Sequence, residues 1–166
     1  MKRVLLIGMK IIAVVVLFLC LVIAWFYIEI GLPYKTIYNL SWWIPITSEK
    51  DYTPNKKVRT ACHKLLRYRF LTHYDAALYL RYVGNKDSIP YLIRVSKWEY
   101  LKHQDKIETY KRLPITFRYC VGSLERLTGM EFGTDYEAWE NWWEQTGKHL
   151  PFDEEKGQLV LPENHK

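Results

Sequence analysis

The order of apolar and polar positions divides the chain into an unbroken apolar run, a mixed stretch and a series of amphipathic segments. Residues 11–28, IIAVVVLFLCLVIAWFYI, are eighteen residues without a charge. That length and composition predict a membrane-spanning helix. Val4 to Met9 extend it at the front, and Lys10 can snorkel toward head groups. Trp25, Phe26 and Tyr27 sit together at the far end, where amphipathic rings favour the interface. Residues 31–54 contain Gly31, Pro33, Pro45 and Pro54 and read as a connector. Its aromatics, Tyr34, Tyr38, Trp42 and Trp43, suit either the membrane interface or the flank of the following domain.

From residue 55 the period changes to that of helices, and no segment reads as a convincing strand. The spacing predicts five. The first covers 55–71, with Val58, Ala61, Cys62, Leu65 and Leu66 on one face. The second covers 73–83, capped by Thr72 with Asp75 in a capping-box position and stopped by a left-handed Gly84-Asn85. The third covers 88–101, with Asp87 or Ser88 as cap and Pro90 in its first turn. The fourth opens around Pro114 and ends at Gly129, with Phe117, Cys120, Val121, Leu124 and Leu127 as its stripe. The fifth lies within GTDYEAWENWWEQTG, residues 133–147, with Thr134 and Glu137 as a capping box and Gly147 as its stop. On a helical wheel Trp139, Trp142 and Trp143 share one side, and Glu137, Glu140 and Glu144 share another. The rings read as a buried stripe, with Trp142 off its centre. The acids and Trp142 are the candidate partner-binding residues.

Two stretches resemble HEAT-type helical repeats of the kind found in bacterial bilin lyases. In residues 76–96 the matching positions are Ala76, Ala77, Leu80, Gly84, Ile89, Pro90, Leu92 and Ile93. In residues 120–147 they are Leu127, Thr128, Gly129, Phe132, Gly133, Trp139, Trp142 and Trp143. The resemblance covers residues 55–147 and implies an all-α fold, a short α-solenoid of about five helices behind one transmembrane helix. Helices two and three would form one antiparallel pair, and helices four and five another. The domain plan is then an anchor at 1–30, an aromatic and proline-containing linker at 31–54, the helical domain at 55–147 and an acidic, extended or partly disordered tail at 148–166.

Charge sharpens the placement. Lys2, Arg3 and Lys10 precede the apolar run, and Lys35 alone lies close behind it. That bias predicts a cytoplasmic N-terminus and an extracytoplasmic domain. The bulky AWFYIEIGL that follows offers no small-residue cleavage site, so the run reads as an uncleaved anchor. The chain carries 24 basic and 18 acidic residues. Residues 131–166 hold nine acids and three lysines, and the rest therefore hold nine acids and 21 basic residues. A basic body with an acidic end can meet a charged surface or a second copy of the chain. The stretch 55–69 carries six basic residues and no acid.

The chemistry is sparse. His63, His73, His103, His149 and His165 form no metal-spaced pair, and Cys20, Cys62 and Cys120 form no C-x-x-C. No nucleophile elbow, P-loop or dinucleotide fingerprint is present. Cys62 and Cys120 fall on apolar faces, as a bridge or as buried thiols. The leading expectation is a non-catalytic protein-interaction scaffold held to the membrane, without cofactor or metal, and with nucleic acid disfavoured by its location. A second expectation is an enzyme or cofactor-attaching factor, which would need His63, Asp75 or Glu108 near Cys120 in a polar pocket. A third is a lipid-surface module using Trp25, Trp42, Trp43, Lys56, Lys57 and Arg59.

Overall fold

The computed structural model describes residues 2–40, 52–68, 74–110 and 113–162. The first helix, α1, covers Lys2–Phe26. It does not end at Gly31. A single π turn at Tyr27–Gly31, closed by the Leu32 N–H donating to the Tyr27 carbonyl, leads into α2, Leu32–Leu40. The turn has a local cause. Pro33 has no N–H to give back to the helix, and a wider turn absorbs the lost bond. Residues 31–40 are therefore helical where the proline and glycine predicted a connector. Pro33 and Ile37 are buried, and α2 packs along α3.

The remaining helices are α3, Lys56–Leu66, α4, Tyr74–Val83, α5, Ile89–Tyr110, α6, Ile115–Thr128, and α7, Tyr136–Gln145. Asn55 caps α3 by accepting from the Val58 N–H at 3.1 Å. The predicted apolar face of α3 is buried at every position: Val58, Ala61, Cys62, Leu65 and Leu66. In α6 Phe117, Cys120, Leu124 and Leu127 are buried, and Val121 is half-buried. Cys62 and Cys120 are free thiols, so the bridge is not formed.

Several boundaries differ from expectation. α5 continues through the charged stretch to Tyr110, because KHQDKIETY contains no glycine or proline to stop it. Its start is fixed by Asn85 and Ser88, not by Asp87. The Asn85 N–H donates to Ser88 Oγ at 3.0 Å, and Ser88 Oγ donates to Asn85 Oδ1 at 3.2 Å. The cap of α7 is Asp135, one residue later than Thr134, and its carboxylate accepts from the Ala138 N–H at 2.9 Å. Gly129 does end α6 in the left-handed conformation, at φ 72°. Gly84 and Gly147 stop nothing by handedness and serve close approach instead. A Cβ at Gly84 would lie 2.9 Å from Leu127 Cδ1.

The described part of the tail, 148–162, is folded onto the helices where the sequence predicts an extended or partly disordered segment. A two-stranded antiparallel hairpin pairs β1, Phe152–Asp153, with β2, Gln158–Leu159. Asp153 Oδ1 accepts from the N–H groups of Glu155 and Lys156, each at 2.9 Å, and Gly157 turns the chain at φ 64°. Leu159 is buried and β2 lies against α6. Strands of two residues carry no readable period, so sequence pattern alone predicted no hairpin here.

The core runs from Ile37 through α3, α4, α5 and α6 to Trp139 and Trp143. The most extensive helix packing is α4 with α6 and α5 with α6, followed by α2 with α3 and α3 with α4. The expected pairs α4 with α5 and α6 with α7 are not among the main contacts of the described residues, so the helices pack across alternate elements instead. α5 also packs on α7. Lys97 reaches Glu140 at 2.7 Å and Tyr100 meets Tyr136 at 5.1 Å, so the two helices meet in reverse order. The chain is thus mostly helical, with an apolar N-terminal helix continuous with the domain.

Candidate membrane-proximal site

Met9 to Ile28 is a helical stretch of twenty residues whose large apolar side chains are exposed. At 1.5 Å per residue it measures about 30 Å, the thickness of a bilayer's hydrocarbon core. One helix, Met9–Asn39, is long and apolar enough to cross a membrane, and a signal sequence meets the same criterion.

The apolar stretch ends on Glu29, and the domain meets it there. Lys64 of α3 donates to Glu29 Oε1 at 3.1 Å, and the Tyr68 hydroxyl donates to Glu29 Oε2 at 3.4 Å. The Tyr68 ring also lies edge-on to Trp25, with centroids 6.1 Å apart. Four residues forward on the α3 side match four residues back on the α1 side. α3 therefore runs antiparallel to α1, with its C-terminal end at the end of the apolar stretch. Trp25 is in this cluster. Lys56, Lys57 and Thr60 are exposed on α3 farther from it. Arg59 is half-buried, and its Nη1 is buried with no hydrogen-bond partner among the described residues. It faces the domain rather than solvent. Trp42 and Trp43 lie outside the described residues.

The α7 end is built differently. Trp139 is fully buried, and its Nε1–H donates to the Gly133 carbonyl at 3.1 Å. Trp143 is buried as well. Trp142 is half-buried against Phe132, Trp139 and Trp143. A Cβ at Gly147 would lie 2.7 Å from its Cζ3, so the chain turns tightly over this ring. The acids are engaged to different degrees. Glu140 pairs with Lys97, and Glu144 pairs with Lys148 at 2.8 Å. Glu137 accepts from the Tyr136 hydroxyl at 3.3 Å. Glu137 and Glu144 are the exposed members of the edge.

His63 Nε2 shares a hydrogen bond of 2.8 Å with Ser88 Oγ, and its ring stacks on Tyr91 at 4.6 Å. Burial, with the Arg59 charge adding to it, holds its pKa down at about 4. The ring is neutral at pH 7 and supports the start of α5. Ser88 is fully buried in the capping box. Burial pushes both the Cys62 and Cys120 thiols up, away from the reactive thiolate form. The Asp75 carboxylate adds to the upward push at Cys62, and the Glu99 carboxylate to that at Cys120. His73 and the side chain of Glu108 lie outside the described residues. No group of three His, Cys, Asp or Glu side chains among the described residues converges as metal ligands do.

The partners of Glu29 at the end of the apolar stretch and the Tyr91–Arg94–Trp98 row are not signalled by sequence pattern. In that row the Arg94 guanidinium lies 5.0 Å from the Tyr91 ring and 5.1 Å from the Trp98 ring. A spacing of three and four along α5 carries it, but the same spacing describes ordinary packing. Comparison with known protein families, with curated proteins and with solved structures returns no match. The chain is a mostly helical protein with one exposed apolar N-terminal helix.

Proposed function

We propose that this protein is a single-pass membrane-anchored interaction module, a scaffold rather than a catalyst. The observation that carries the proposal is continuity. The exposed apolar helix runs through the π turn into α2, whose Ile37 is part of the domain core. The domain also grips the end of the run itself, through Lys64 and Tyr68 on Glu29 and the Tyr68 ring on Trp25, contacts that removal of a leader would forfeit. The basic residues before the run favour an N-terminus in the cytoplasm and a domain outside.

Within the domain we read a short HEAT-like helical array, whose main packing runs α2 on α3, α3 on α4, α4 on α6 and α5 on α6. Packing between alternate helices, α4 on α6, supports this, as does the close seat of Gly84 on Leu127. α7 departs from it by meeting α5 in reverse order, and so serves as the closing helix. The edge offered to a protein partner is the exposed acidic side of α7, Glu137 and Glu144, near Trp142.

The test uses the full chain in native membranes. Carbonate extraction should leave it in the membrane fraction, and added protease should digest the domain in intact spheroplasts. Photo-crosslinkers at positions 137 and 144 should capture a discrete adduct that a crosslinker at Thr60 does not. A fully protected domain overturns the orientation, and adducts at Thr60 alone overturn the assigned edge.

A further inference from the structure

We infer that the C-terminal end of α3 is a second membrane contact, in which Arg67 and Tyr68 lie at the phosphate headgroups of the same bilayer that holds α1. The inference rests on the reading of α1 as membrane-spanning.

Relative height along α1 places the contact. If the apolar run fills the hydrocarbon core, Glu29 marks its edge. Lys64 is bonded to Glu29, so it sits at that edge. Tyr68 follows four residues on, just past the end of α3, and its ring reaches back to Trp25, one turn inside the apolar run. Arg67 is exposed beside them and adds its charge to the field at Glu29. The cluster thus combines two interfacial rings with two cations against one carboxylate, for a net charge of one positive. A ring pair with a surplus cation matches the chemistry of the headgroup layer, where aromatic rings are anchored and phosphate oxygens accept from arginine.

Distance decides which basic residues take part. Lys57 lies seven residues up α3 from Lys64, about 10 Å away along the helix. That is roughly one Debye length at physiological salt. Lys56 and Lys57 therefore feel the surface weakly, and Arg67 and Lys64 carry the contact. The domain is seated on the bilayer by the end of one helix, not laid on it by a basic face.

The test measures depth at sites on exposed positions of α3. Spin labels are placed one at a time at Lys57→Cys, Thr60→Cys and Arg67→Cys in the full chain with Cys20→Ser, reconstituted in phospholipid nanodiscs. Cys62 and Cys120 are buried and stay unlabelled. Accessibility to a water-soluble nickel chelate should rise from 67 through 60 to 57, and be several-fold lower at 67 than at 57. Accessibility to oxygen should fall in the same order. Equal, fully aqueous values at all three sites overturn the inference. A fourth label, at Ala13→Cys, separates the two readings. With site 13 in lipid and site 67 aqueous, the anchor stands and the second contact fails. With site 13 aqueous, the spanning reading itself fails, and the inference with it.

Discussion

A few side chains carry more of this structure than their types suggest. His63 is one. Its pKa is lowered to about 4 against an ordinary value near 6.5, so the unfolded chain binds more protons between those values. Stability from this residue is fully present above about pH 6.5 and is lost as pH falls toward about 4. Urea midpoints measured across that window should fall with pH, and His63→Gln should flatten the trend. An unchanged slope would separate the titration from His63. Gly147 is another. Its missing side chain leaves room for the Trp142 and Trp143 rings, at 2.7 and 2.8 Å from where a Cβ would stand. Gly147→Ala should lower stability by about 1–3 kcal/mol through overpacking, measured by thermal melting. The same change at Gly133, whose Cβ would meet nothing, tests backbone strain alone at φ 53°.

At the scale of elements, what was legible followed the period. The faces of α3 and α6 could be read because every third or fourth position is apolar and the rest are polar. α5 past Leu101 could not, since it is polar on all sides and lacks a stripe, although nothing in it breaks a helix. α2 was hidden by Gly31 and Pro33, which mark a loop in most contexts and here mark a π turn. The junction of Glu29 with Lys64 was illegible for a different reason. It joins residues 35 apart across elements, and no local pattern announces such a pair. At α7 the capping box was read one residue early, on Thr134. Asp135→Ala should cost about 1 kcal/mol in chemical denaturation, and Thr134→Ala much less. Equal losses would return the cap to Thr134.

For the molecule as a whole, the division between apolar helix and domain falls inside one continuous helical stretch. α2 belongs to the domain by its packing and to the apolar helix by its backbone. A truncated protein that begins at Leu32 keeps Ile37 over the α3 face, whereas one that begins at Tyr52 uncovers it. Burying one such side chain is worth about 1.5–3 kcal/mol, so the shorter protein should melt at a lower temperature. Identical melting curves would show that α2 adds nothing to the domain. The hairpin at 152–159 adds Leu159 to the buried core, and Tyr52, just ahead of α3, donates to Glu154 in its turn at 3.4 Å, so the folded body includes residues past α7.

The π turn has a consequence for bearing. It holds one residue more per turn than the helix on either side, and the packing of α2 on α3 leaves no swivel between them. If α1 spans a membrane as proposed, the compass direction of the domain about the membrane normal is set by the rotation of α1 in the lipid. One residue inserted between α1 and Pro33 would swing the domain by about 100° while leaving its depth nearly unchanged. Two copies that met through their anchors would then present different flanks to each other. The turn acts as the phase setting of a shaft, and its length in residues is a number the molecule must keep.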